Sequence, residues 1–136
     1  LIQALLFGDG GILAFGANCF NMAFVLPYLG FFLYKLLFKK TGKRKLSAAI
    51  GSYLGINAAA FCAAVEFGIQ PLLFRDAAGQ ALYCPYPLSV SIPAMMIGHI
   101  TLFGLAEIVL TVVVLTFVEK AAPAAAVQPH RHHPSA

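Results

Sequence analysis

The sequence predicts an all-α fold, a polytopic bundle of transmembrane helices, and three observations carry that prediction. The 136 residues are 60% hydrophobic and only 10% charged, with a mean hydropathy of +0.84, outside the range of soluble domains. Nine Lys or Arg and five Asp or Glu are too few to cover a soluble surface, and six of the basic residues crowd between Lys35 and Lys45, so lipid must be the solvent. The third observation is a set of small residues at four-residue spacing, Ser47, Gly51, Gly55, Ala59 and Ala63, which stack on one helix face. Helices in lipid pack over such faces by close van der Waals contact.

Taken in order, residues 1–7 read as the end of a helix that begins upstream, closed by Gly8-Asp9-Gly10-Gly11 as a polar turn at a membrane surface. Residues 12–38 are long enough to span a hydrocarbon core that needs about 20 residues. Pro27 is expected to kink this helix and free a carbonyl near Ala23. The basic turn follows, with Gly42 at its centre and no acidic residue, and the positive-inside bias makes loop 35–45 cytoplasmic. The next helix, 46–69, runs outward and is expected to end at Pro71. Residues 72–86 form an outer loop with a turn at Ala78-Gly79-Gln80. The last apolar run, 88–118, exceeds one crossing. Pro93 and Gly98-His99 are expected to split it into a short interfacial or re-entrant piece to Ile97 and a spanning helix over 99–118. Residues 1–120 thus form the membrane domain, three spanning helices plus the end of a fourth. Residues 121–136, rich in Ala, Pro and His, read as a disordered cytoplasmic tail.

Polar residues within the spans are the candidates for chemistry, because a charge at a helix centre in lipid costs about 3 kcal/mol even on lenient scales. Glu107 therefore faces protein, a cavity or water, either as an ion or proton site or as a carboxylate bonded to a partner helix. Glu66 lies nearer the outer end of its helix and within reach of the interface, a structural rather than a functional position. His99 lies about 80° around the helix from Glu107 and reads as a neutral, hydrogen-bonded histidine. Asn18 and Asn21 share a face in the outer turn, where they either hold a ligand or bond neighbouring helices. His130, His132 and His133 form a short cluster that either binds transition metals or is a chance polar terminus. Cys19, Cys62 and Cys84 have neither disulfide nor zinc spacing. No P-loop, GxSxG, CxxC or HExxH occurs, so no enzyme is encoded, and no basic stripe with interleaved aromatics points to nucleic acid.

The run from Gln3 to Ile12, then Leu13-Ala14-Phe15-Gly16-Ala17-Asn18 and Phe20-Asn21-Met22, resembles the CbiM/NikM family. Those proteins are the membrane-embedded S components of cobalt and nickel energy-coupling-factor (ECF) importers, a class of ABC importer. The stretch from Gly98 to Glu107 is similar to the family's last helix. The resemblance implies the C-terminal part of a seven-helix S component in a bacterial inner membrane, multi-pass, with its C-terminus cytoplasmic. It implies capture of Co2+ or Ni2+ as transported substrate, with cobalt, for cobalamin biosynthesis, ahead of nickel, and no catalytic cofactor. The implied partners are a transmembrane scaffold subunit, two ATPase subunits that hydrolyse ATP in place of this chain, and a small accessory membrane subunit. The family's metal ligands lie upstream of Leu1. Asp9, Asn18 and Asn21 are thus candidate supports of the metal-binding segment, while His99 and Glu107 remain intramembrane polar residues. The small-residue face is expected to pack within the bundle rather than on the scaffold. The competing reading from the residues alone is a structural or assembly subunit that binds no ion.

Overall fold

The computed structural model describes residues 15–122, and these form three long helices. Helix α1 comprises α-helical Phe15–Phe20, a π-helical turn Asn21–Val25 and α-helical Leu26–Thr41. Helix α2 is Arg44–Leu73. Helix α3 comprises Leu88–Gly98, a π-helical turn His99–Phe103 and Gly104–Ala121. All three are long and apolar enough to cross a membrane, with candidate spans Gly16–Thr41, Arg44–Leu73 and Leu88–Ala121 of 26, 30 and 34 residues. A 30-residue helix extends about 45 Å at 1.5 Å per residue, more than the ~30 Å hydrocarbon core, so the ends tilt or project into the interfaces. The only extended pairing among the described residues is an isolated bridge between Arg75 and Ala81.

The chain reverses twice. Helix α1 stops at Gly42, whose φ of 65° is left-handed and whose N–H donates to Phe38 O, the conformation glycine adopts at least cost. Beyond it, Arg44 Nε and Lys45 Nζ lie 3.7 and 3.9 Å from the Glu119 carboxylate oxygens. The basic turn and the end of α3 therefore share one end of the bundle. At the other end, Asp76 Oδ1 accepts the N–H groups of Ala78 and Gln80 at 2.9 and 2.8 Å. Gly79 takes a φ of +81° there, which is the turn the Ala-Gly-Gln sequence signals.

Two expectations from the prolines and glycines are corrected. Helix α2 does not end before Pro71 but continues to Leu73 with Pro71 buried inside it. A proline in the last turn forfeits a single ladder bond, and Arg75 Nε donates to the Pro71 carbonyl. The run 88–118 is not split. Gly98 and His99 both keep right-handed helical angles, and the irregularity is absorbed by a wider turn rather than a break. Upstream of Pro27 the helix widens: Leu26 N–H donates to Asn21 O, five residues back, across the stretch containing Ala23, where a proline one turn on leaves a carbonyl without its ladder donor.

Helix α2 is central, with α1 on one side and α3 on the other. Ser47, Gly51, Gly55 and Ala59 are buried and Ala63 is half-buried. The row meets α1 at backbone distance: a Cβ on Gly51 would lie 2.7 Å from Gly30 O, and one on Gly55 would lie 2.9 Å from Leu26 O. A Cβ on Gly104 would lie 2.5 Å from the Tyr53 ring, which sets the α2–α3 approach. Large apolar side chains point outward, including Phe24, Tyr28, Phe31 and Phe117, as expected where lipid is the solvent.

Candidate functional site

A cavity of about 60 Å³ opens between the three helices at the end away from the basic turn, lined by Asn18 and Asn21 from α1, Ala59 and Ala63 from α2, and Met95 and His99 from α3. The small residues of α2 leave the space, and the two π turns flank it. Asn21 and His99 are the first residues of those turns, an irregularity that recurs at functional sites.

The polarity of the cavity is fixed by its hydrogen bonds. Asn21 is 1% exposed, and its Nδ2 donates to Glu66 Oε2 at 2.8 Å. The opposite amide orientation would set two acceptors against each other, so Glu66 determines which way Asn21 faces. Asn21 Oδ1 is then buried with no partner among the described residues. His99 Nδ1 lies 2.9 Å from Met95 O. A carbonyl only accepts, so Nδ1 carries the proton, and in the neutral ring Nε2 keeps its lone pair. The imidazole also packs against the Phe103 ring, 5.0 Å between centroids. The lining thus combines two amides and an imidazole with otherwise small or apolar side chains, and the buried Asn21 Oδ1 is without a partner among the described residues.

The other residues singled out from sequence lie elsewhere. Glu107 lines a separate groove of about 280 Å³ with Pro27, Gly30, Tyr34 and Ser52. Thr111 Oγ1 donates to its carboxylate over a long 3.4 Å. His99 and Glu107 therefore open onto different spaces. Glu66 turns inward to Asn21 rather than out to the interface, because the buried amide of α1 offers it a donor. Asp9, His130, His132 and His133 fall outside the described residues. Among the described residues, no cluster of three or more His, Cys, Asp or Glu side chains is arranged to hold a metal.

Two residues went unremarked in the sequence. Asn57, buried in the Ala-rich stretch, donates from Nδ2 to Tyr53 O at 2.8 Å and leaves Oδ1 unpaired. Tyr53 donates its hydroxyl to Ile100 O at 2.9 Å, a carbonyl within the second π turn. An amide inside an otherwise small and apolar face was the available signal for Asn57.

Three helices long and apolar enough to cross a membrane, packed around a small cavity with amide and imidazole groups in its lining, define a polytopic membrane protein. The family model described as "Cobalt uptake substrate-specific transmembrane region" matches residues 1–125, and the chain belongs to this CbiM family. It is 53% identical over 123 residues to a protein of Lactiplantibacillus plantarum named "Probable fused nickel transport protein LarMN". It is 50% identical over 127 residues to the "Fused nickel transport protein NikMN" of Rhodobacter capsulatus. Each match covers 90% of this chain and 37% of the relative, so the chain spans just over a third of their length. The crystal structure of a truncated transition metal transporter, 54% identical, superposes with a TM-score of 0.79 over 88% of this chain and 56% of its own.

Proposed function

We propose that this chain is the C-terminal part of the substrate-capture membrane subunit of an ECF-type importer for Co2+ or Ni2+. The observation that carries the proposal is the cavity lined by Asn18, Asn21 and His99 between the spans of a CbiM-family protein. The family description names cobalt, and relatives are named for nickel or for cobalt. Similar nitrogen and oxygen donors follow one affinity order for both ions, so ligand geometry selects between them.

In this reading the basic turn and the C-terminal end of α3 face the cytoplasm of a bacterial inner membrane. Metal is captured from the outer side, where Asn18 and Asn21 support the metal-binding segment, with Asp9 as a further support from the preceding turn. ATP hydrolysis resides in two separate ATPase subunits, coupled through a transmembrane scaffold and joined by a small accessory membrane subunit. The experiment is uptake of radiolabelled Co2+ and Ni2+ by cells producing the full-length protein with its neighbouring subunits. Metal should accumulate above the vector control, and Asn18→Ala and Asn21→Ala should each reduce it. Accumulation no greater than the control refutes the importer reading, and unchanged uptake in both variants removes the role of the two amides.

A further inference from the structure

We propose that the outer face of α1 toward the basic turn binds one anionic phospholipid, its phosphate on Lys35 and Lys39 and its acyl chains on Tyr28, Phe31 and Phe32. The inference goes beyond the transporter reading and does not depend on which ion is carried. At 3.6 residues per turn these five side chains fall within an arc of about 100°, and all five are exposed. From Tyr28 to Lys39 the helix rises about 17 Å at 1.5 Å per residue, close to half of the ~30 Å hydrocarbon core. The stripe therefore matches one leaflet, apolar where the chains lie and cationic where the headgroups begin.

The cations of this stripe have no carboxylate to pair with. Glu119 is shared by Arg44 and Lys45, whereas Lys35 and Lys39 form no ion pair among the described residues. Lys35 Nζ instead lies over the Phe31 ring, 5.5 Å from its centroid, because helical side chains lean toward the N-terminus, here the membrane side. An ammonium group at that depth calls for an anion, and basic side chains at the end of a span attract anionic headgroups. A shallow apolar groove of about 250 Å³ along Pro27, Tyr28 and Phe31 adjoins it and takes the chains. An acidic protein surface would meet the charges but not Phe31 and Phe32, each 62% exposed; a phospholipid supplies both halves in the right order.

The test places the full-length protein in micelles doped equally with phosphatidylglycerol and phosphatidylcholine of identical chains, and counts the lipids retained by native mass spectrometry. Phosphatidylglycerol is expected in preference. Lys35→Gln and Lys39→Gln should each weaken its binding about fivefold, Lys39→Arg should keep it, and Arg75→Gln at the other end of the bundle should leave it unchanged. A reading free of mutation comes from thermal unfolding of the unaltered protein: phosphatidylglycerol should raise the melting temperature more than phosphatidylcholine, and the difference should close in 1 M NaCl. Equal retention of the two lipids overturns the site, as does phosphatidylglycerol binding unchanged in both glutamine variants. Inorganic phosphate that stabilises as much as phosphatidylglycerol marks a soluble-anion site and overturns it too. Loss of companion subunits from the purified assembly, with lipid retention unchanged, assigns the lysines to a protein contact and has the same effect. None of these outcomes bears on metal uptake, so the importer reading stands or falls separately.

Discussion

Replacing Gly51 by alanine isolates the close packing of α1 on α2. The added Cβ would lie 2.7 Å from Gly30 O, 3.1 Å from Tyr34 N and 3.3 Å from Tyr34 Cβ. Two of those atoms are backbone and cannot rotate away, so α1 must recede by about 0.7 Å to bring the 2.7 Å contact to an ordinary 3.4 Å. Overpacking of this kind typically costs about 1–3 kcal/mol. Helix propensity acts in the opposite direction, favouring alanine over glycine by about 1 kcal/mol. With two backbone clashes at one point the packing term falls in the upper part of that range and prevails, and a net loss of up to about 2 kcal/mol is expected, up to roughly a 30-fold change in the folded ratio. Gly16→Ala is the control, since a Cβ there meets nothing within 4 Å. Thermal unfolding of the full-length protein in micelles, followed by circular dichroism, should show Gly51→Ala melting lower than wild type and Gly16→Ala melting no lower. A Gly51→Ala protein as stable as wild type would mean that the two backbones do not meet there.

Two further substitutions probe the α2–α3 contact. Tyr53→Phe removes the hydroxyl that bonds Ile100 O at 2.9 Å and should lower stability by about 0.5–1.5 kcal/mol, read in the same melting experiment. Glu119→Gln removes the partner of Arg44 and Lys45, whose contacts are long at 3.7 and 3.9 Å and whose basic side chains are 38% and 52% exposed. A loss below about 1 kcal/mol is expected, shrinking further in 1 M NaCl as the charges are screened.

Much of the architecture was legible because hydropathy over 20 or more residues decides a span, and the three spans follow from it. Small residues repeating every four positions announced a face that the glycines of α2 use against Gly30 and Leu26. The turn at Asp76 to Gln80 was readable from its glycine and aspartate. Helix ends and irregularities were not. Pro71 and Gly98 looked like breaks, but in lipid an open backbone is costlier than a strained turn, so the helices bridge both sites. The angle between His99 and Glu107 was counted at 3.6 residues per turn, whereas residues 99–103 wind more slowly. The pairing of Asn21 with Glu66 joins residues 45 apart, and no local pattern encodes it. For the same reason the meeting of Asn18 and Asn21 with His99 depends on how α1 and α3 cross α2, which spacing along the chain does not report.

In the proposed topology these helices thread a membrane alternately, with the basic turn inside. Cysteines introduced singly at Lys43 and Ala78, in full-length protein with Cys19, Cys62 and Cys84 replaced by serine, measure this directly in intact cells with a membrane-impermeant thiol reagent. Both positions are solvent-exposed. Labelling at position 78 in intact cells, and at position 43 only after permeabilisation, is the predicted result; labelling of both from the same side would contradict it.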